Sequence, residues 1–143
     1  MDKKVSIITP CFNGEKFISR YFDSILEQTY KNIEVIFIND GSTDTTEKIV
    51  EQYIPMFNKY GIEFIYIYQE NKGQAAALNK GLKKFSGDYL TWPDSDDILT
   101  KDSIEKKVLF LENNKQYGLV RSGAKVVLEN NLHDIIGYLG KNN

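Results

Sequence analysis

Ile33-Glu34-Val35-Ile36-Phe37-Ile38-Asn39-Asp40-Gly41-Ser42-Thr43-Asp44 is the stretch whose reading decides the fold. From Ile33 to Ile38 only Glu34 interrupts an apolar run, and there is no polar alternation. Both faces of such a strand are expected to be covered. The run ends in polar, glycine-bearing residues that suit a turn. Ser42 or Thr43 can cap the helix that follows, which turns Ile49, Val50, Tyr53 and Ile54 inward. A strand covered on both faces and followed at once by a helix is the repeating unit of a parallel α/β sheet.

The same alternation extends outward. Upstream, residues 5–9 form a short β-branched run that Pro10 is expected to stop, and residues 15–28 place Phe17, Ile18, Tyr21, Phe22, Ile25 and Leu26 on one helical face. Downstream, strands are expected over 62–68, 89–92 (ended by Pro93) and 117–121, with helices over 74–85 and roughly 101–113. Residues 124–129 and 132–138, joined through Asn130-Asn131, read as a polar-tipped hairpin. The order predicts an α/β protein with a mostly parallel, Rossmann-like sheet flanked by helices and a C-terminal hairpin. Ligands of such sheets bind outside the carboxyl ends of the strands.

Composition narrows the chemistry. The chain has 143 residues, the length of one domain, and a net charge of −2, which gives no reason to expect nucleic acid as a partner. One cysteine allows no internal disulfide, and one histidine excludes the usual multi-histidine zinc sites. Metal chemistry is left to carboxylates. All basic residues are lysine except Arg20 and Arg121. No apolar run reaches the roughly 18 residues of a membrane span. Lys3 and Lys4 ahead of Val5-Ser6-Ile7-Ile8 imitate a signal peptide, but Asn13-Gly14-Glu15 cuts the apolar stretch short, so it reads as a buried strand. A cytoplasmic protein is expected, or one held at the inner membrane face through a partner.

Polar clusters fall at the predicted strand ends: Thr9-Pro10-Cys11-Phe12-Asn13-Gly14, Asn39 to Asp44, Glu70-Asn71-Lys72-Gly73 and Asp94-Ser95-Asp96-Asp97. The last places three carboxylates in four residues, suited either to a hard divalent cation or to capping the next helix. Asp40 can accept a hydrogen bond from a ring N–H of a base, or serve as an Asx-type turn residue. Lys72 can meet a phosphate as a point charge or stand exposed in its loop. Cys11 has no histidine near it in sequence and reads as a small packing residue. His133 is alone in the hairpin.

In register, Val5-Ser6-Ile7-Ile8-Thr9-Pro10 with Asn13, Ile38-Asn39-Asp40-Gly41-Ser42-Thr43-Asp44, Asn71-Lys72-Gly73-Gln74-Ala75-Ala76-Ala77-Leu78-Asn79-Lys80-Gly81 and Trp92-Pro93-Asp94-Ser95-Asp96-Asp97 resemble the nucleotide-binding half of family 2 glycosyltransferases, which have the GT-A fold. The resemblance implies that Thr9, Pro10, Asn13 and Ser95 border a nucleotide, that Asp40 reads its base and that Lys72 lies at its phosphates. It also implies that Asp94 and Asp96 form a DxD pair holding Mn2+ or Mg2+, with Asp94 also near the ribose. Position 78 is Leu where many relatives carry Arg, so no phosphate or sugar contact is expected there.

The implied reaction is inverting transfer of a sugar from a nucleoside diphosphate, UDP favoured, to a hydroxyl of an acceptor glycan or lipid-linked sugar in cell-surface polysaccharide or glycoconjugate synthesis. The resemblance places the general base beyond residue 143, and neither Glu129 nor Asp134 sits in a matching motif. The chain is therefore expected to be a single GT-A-like donor-binding domain, 1–143, truncated before the acceptor-binding region. The alternative is a non-catalytic nucleotide-sugar-binding module. A sugar nucleotidyltransferase would need a basic, glycine-rich loop after the first strand, and a hydrolase with a nucleophilic aspartate would need an Asp there. Neither is present.

Overall fold

The structure, a computed structural model, describes residues 3–140. Its elements are β1 (Val5–Cys11), α1 (Ile18–Leu26), β2 (Ile33–Asp40), α2 (Thr46–Lys59), β3 (Glu63–Gln69), α3 (Gln74–Gly81), β4 (Tyr89–Thr91), α4 (Ser103–Asn113), β5 (Ala124–Leu128) and β6 (Asn131–Leu139). They fall into two compact units, one running up to Glu105 and one from Lys106 onward.

The first unit carries a four-stranded sheet in the order β3-β2-β1-β4, with every neighbouring pair parallel. This is the mostly parallel, helix-flanked sheet that the alternation predicts. Every residue of β2 is buried, which explains its continuous apolar run. Because side chains alternate along a strand, β2 feeds two different cores. Ile36 and Ile38 join Ile8 and Ala77 under α3, with Leu78 packed against them. Phe37 lies on the opposite face, where its ring meets Phe22 of α1 at 5.2 Å and Phe64 of β3 at 6.3 Å, and Phe57 of α2 stands 4.8 Å from Phe64. Gly81 permits the close seating of α3, since a Cβ there would lie 2.4 Å from Ile8 Cγ2.

Beyond α3 the chain is tied back to α1. The buried Gln28 side chain donates from Nε2 to the carbonyls of Ser24 and Thr100, and its Oε1 accepts from Ile104 N–H. Leu99 N–H reaches Ser24 Oγ and Thr29 N–H reaches the Lys101 carbonyl. These bonds satisfy the backbone of a segment with no regular structure of its own. The second unit consists of the later part of α4 and the antiparallel β5–β6 hairpin, whose register shifts near Val127.

Several boundaries differ from the sequence reading. β1 runs through Pro10 to Cys11 instead of stopping at residue 9. Val5 N–H points to Asn32 on the β2 side, so by alternation position 10 points toward β4. There β4 pairs only with residues 5–7, and no ladder bond is lost by a proline. Residues 117–121 form no strand: Leu119 is 75% exposed, and no neighbouring strand among the described residues offers a ladder. Instead Tyr117 closes a turn onto the Asn114 carbonyl and stacks on Phe110 at 5.8 Å. Neither Ser42 nor Thr43 caps α2. Asp44 Oδ1 accepts from Thr46 N–H at 3.0 Å, and Ser42 and Thr43 bond to Asn13. The helices over 15–28 and 74–85 are shorter than expected, and the hairpin turns at Glu129 and Asn130.

One carboxylate is held at the amino end of the sheet. Glu34 is 1% exposed and accepts from Ser6 Oγ at 2.5 Å, Ser86 N–H at 2.6 Å, Ser86 Oγ at 2.7 Å and Lys4 Nζ at 2.6 Å. Burial pushes its pKa up, but the bonds from Lys4, Ser6 and Ser86 win and hold it at about 2, below the ordinary 4.5. The folded value is the lower one, so the charged form stabilises the fold by about 3 kcal/mol above pH 5. That contribution drains away as pH falls toward 2. Urea denaturation should therefore show a midpoint that drops between pH 5 and 3. Glu34→Gln should lower the stability at pH 7 by roughly 2–3 kcal/mol and flatten that drop. A variant keeping the parent's pH slope would remove Glu34 as its source.

Candidate functional site

The carboxyl ends of β1 and β2 finish level, since Cys11 pairs with Asn39. β4 stops opposite Ile7, and the chain leaves the sheet at Trp92. A cleft of about 410 Å3 opens there, lined by Pro10 to Gly14, Phe17, Asp40, Gln74, Asp94, Ser95 and Asp96. It lies where an open parallel sheet places its ligand.

Two loops frame the cleft, and polar bonds join them. Asn13 has φ +52°, its N–H donates to Ser42 Oγ at 2.9 Å, and its Oδ1 accepts from Thr43 N–H at 2.8 Å. Gly14 N–H donates to Thr46 Oγ1, and Glu15 Oε2 accepts from Thr45 N–H and Oγ1. The loop after β1 is thereby fixed on the N-terminal turn of α2, and its outer residues, Phe12 above all, remain exposed.

Asp40 is 3% exposed. Its Oδ1 accepts from Gln69 Nε2 at 2.7 Å and from Lys72 N–H at 2.9 Å, while Oδ2 has no partner among the described residues. A buried carboxylate with one oxygen satisfied and one available at a cleft can accept a donor from a ligand. The loop over 70–73 reaches Asp40 only because residue 41 is glycine. Gly41 has φ +74°, and a Cβ there would stand 2.6 Å from Asn71 N.

The acidic segment closes the other side. Asp94 Oδ1 accepts from Gln74 Nε2 at 3.0 Å, and Ser95 hydrogen-bonds the Cys11 thiol. Burial pushes that thiol up to about 11, with the Ser95 bond pulling the other way, so Cys11 is a packing residue and no nucleophile. Asp97 is also held above the ordinary carboxylate range, first by desolvation and then by repulsion from Asp96 and Asp94. Among the described residues no three His, Cys, Asp or Glu side chains converge as a complete metal cage. Asp94 and Asp96 nevertheless offer hard oxygen donors beside a polar cleft. That set would suit a Mg2+ or Mn2+ ion that takes its remaining ligands from phosphate and water.

The structure thus brings Pro10, Asn13, Asp40, Asp94, Ser95 and Asp96 to one cleft. Thr9 lies behind its wall, fully buried, with its hydroxyl bonded to that of Tyr21. Lys72 contributes its backbone N–H to Asp40 and leaves its ammonium exposed. Leu78 packs on the core under α3, which accounts for an apolar side chain at that position. Sequence reasoning missed Gln69 and Gln74. The signal for Gln69 is register, since it lies directly across from Asp40. No local signal separates Gln74 from other glutamines that open a helix.

Residues 6–136 match the family described as Glycosyl transferase family 2. The chain is 43% identical over 105 residues to glycosyltransferase GlyA of Streptococcus pneumoniae serotype 4, covering 73% of this chain and 14% of that protein. It is 41% identical over 110 residues to an uncharacterized glycosyltransferase of Haemophilus influenzae, covering 77% of this chain and 43% of that one. Among solved structures, TarS 1–349 of S. aureus in complex with UDP-GlcNAc superposes with a TM-score of 0.69 at 26% identity, over 87% of this chain and 40% of that chain. The mannosyltransferase PcManGT of Pyrobaculum calidifontis, in complex with GDP-Man and Mn2+, gives a TM-score of 0.70 at 26% identity, over 78% of this chain and 33% of that one. The chain spans less than half the length of each of these relatives.

Gly41 offers a direct test of the frame. Gly41→Ala must strain a left-handed residue and push the 70–73 loop off Asp40, so it should lower stability by about 1–3 kcal/mol in chemical denaturation. A loss below about 0.5 kcal/mol would mean that the loop yields freely.

Proposed function

The chain belongs to glycosyl transferase family 2, and on that premise we propose that it forms the donor side of an inverting, metal-dependent glycosyltransferase. The enzyme would move a sugar from a nucleoside diphosphate, UDP favoured, to a hydroxyl of an acceptor glycan or lipid-linked sugar. The observation that carries this reading is one cleft with a half-satisfied buried Asp40 and, across from it, Asp94 and Asp96. Relatives solved with UDP-GlcNAc and with GDP-Man and Mn2+ support the ligand class.

Asp40 Oδ2 would accept the imide N–H of uracil, or N1–H of guanine, and so select the base. Gln69 and the Lys72 amide hold the other oxygen, which fixes the carboxylate's orientation before any ligand arrives. Pro10, Asn13 and Ser95, which line the same cleft, would border the nucleotide, and the exposed Lys72 ammonium would serve as a cation for phosphate. Asp94 and Asp96 would hold Mn2+ or Mg2+, which supplies neutralisation of the charge that builds on the leaving diphosphate. Binding and orientation are the contribution of the chain's other residues.

The acceptor hydroxyl needs a general base within about 3 Å, and none of these residues is assigned to that role. No helix among the described residues is long and apolar enough to cross a membrane. We place the work at the cytoplasmic side, in synthesis of a surface polysaccharide or glycoconjugate.

Two calorimetric titrations test the donor site without an acceptor. UDP should bind more tightly with Mn2+ than with EDTA, and Asp96→Ala should erase at least about tenfold of that gain. Unchanged Mn2+-dependent affinity would refute the metal assignment. Asp40→Ala should weaken UDP by about 10- to 100-fold and inorganic diphosphate by less than about twofold. Equal losses would show that Asp40 does not read the base.

A further inference from the structure

Gln74 belongs to none of the roles described so far, yet its side chain lines the cleft and touches one of the paired carboxylates. It is the first residue of α3, preceded by Gly73 at φ +86°, and α3 is anchored beneath by the Ile8, Ile36, Ile38 and Ala77 core. The amide therefore projects from a rigid element, whereas Asp94 sits on an irregular segment. Its Nε2 donates to Asp94 Oδ1 at 3.0 Å, and Asp94 Oδ2 has no partner among the described residues.

From this geometry we propose that Gln74 is the positioning residue of Asp94: by occupying Oδ1, it orients the carboxylate so that Oδ2 meets the cation and the donor. The inference rests on the donor-site reading given above. Three physical consequences follow from the contact. A neutral amide placed between α3 and the acidic segment supplies a donor to a carboxylate whose sequence neighbours, Asp96 and Asp97, can only repel it. A carboxylate with one oxygen engaged offers a single oxygen to a cation, which favours monodentate binding and leaves coordination positions for phosphate. Groups that orient a metal ligand from behind commonly change metal affinity by 10- to 100-fold when they are removed.

The test uses the whole chain and UDP as the probe, titrated with Mn2+ and with EDTA. Gln74→Ala should shrink the Mn2+-dependent gain in UDP affinity at least about fivefold, while affinity in EDTA stays within about twofold. Gln74→Met, which keeps the length of the side chain and the helix but removes the amide, should behave alike. This guards against a mere loss of packing. The deciding measurement is a double-mutant cycle: added to Asp94→Ala, Gln74→Ala should cost nothing further, because its only route to the cation is gone. An unchanged Mn2+ gain in both single variants, or losses that simply add in the double variant, would overturn the role of Gln74 and leave the donor site standing. Absence of any Mn2+ gain in the unaltered chain is a different result. It would refute the donor-site reading, and this inference with it.

Discussion

The cleft exists because two neighbouring strands have unequal lengths. β1 pairs with β2 along its entire course, but β4 accompanies it for only three residues before the chain turns away. Past Ile7, one side of a central strand has no neighbouring strand among the described residues, and the chain from Trp92 onward has left the sheet. The register that pairs Cys11 with Asn39 sets Asp40 one residue past the end of β1, at the mouth of the same space. Loops of few residues can then converge on one space with no further architecture. The position of the polar residues is thus a consequence of strand ends, and their identity decides what the space can hold.

Carboxylates are treated in opposite ways at the two ends of this sheet. Glu34, at the amino end, is surrounded by Ser6, Ser86 and Lys4 and has donors on both oxygens. It behaves as a closed structural joint. Asp40 and Asp94, at the carboxyl end, each receive donors from the described residues on Oδ1 alone. Incomplete satisfaction of an acceptor is costly in isolation and useful where a ligand completes it. The same residue chemistry serves stability in one place and recognition in the other, and the number of filled lone pairs distinguishes them.

The centre of the sheet could be read from the sequence because β1 and β2 are buried on both faces, and largely apolar, β-branched runs such as 33–38 and 5–9 have no other good use. The exit of β1 was obscured by Pro10, since whether a proline ends a strand depends on which neighbour its missing N–H would have faced. Residues 117–121 carry strand-like side chains but lack a partner, and pairing is not a local property. At the site, Asp40 and the Asp94–Asp96 pair stood out because acidic residues at strand ends are conspicuous. Their supports did not. Gln69 acts through cross-strand register, Gln74 through the seating of a whole helix, and Gln28 through a segment more than 70 residues away. Thr9 lies in a motif, yet alternation turns it inward, toward Tyr21.

Pro10 has a consequence for association as well as for the strand it sits in. An unpaired side of a β-strand is a template on which a stray extended peptide can add itself, seeded by exposed N–H groups. On the side of β1 that β4 abandons, the next amide after Ile8 would belong to residue 10, and proline has none to give. An intruding segment would find a carbonyl without its complementary donor at the mouth of the cleft. The proline thereby withholds, at the mouth of the cleft, one of the donors that an added strand would need.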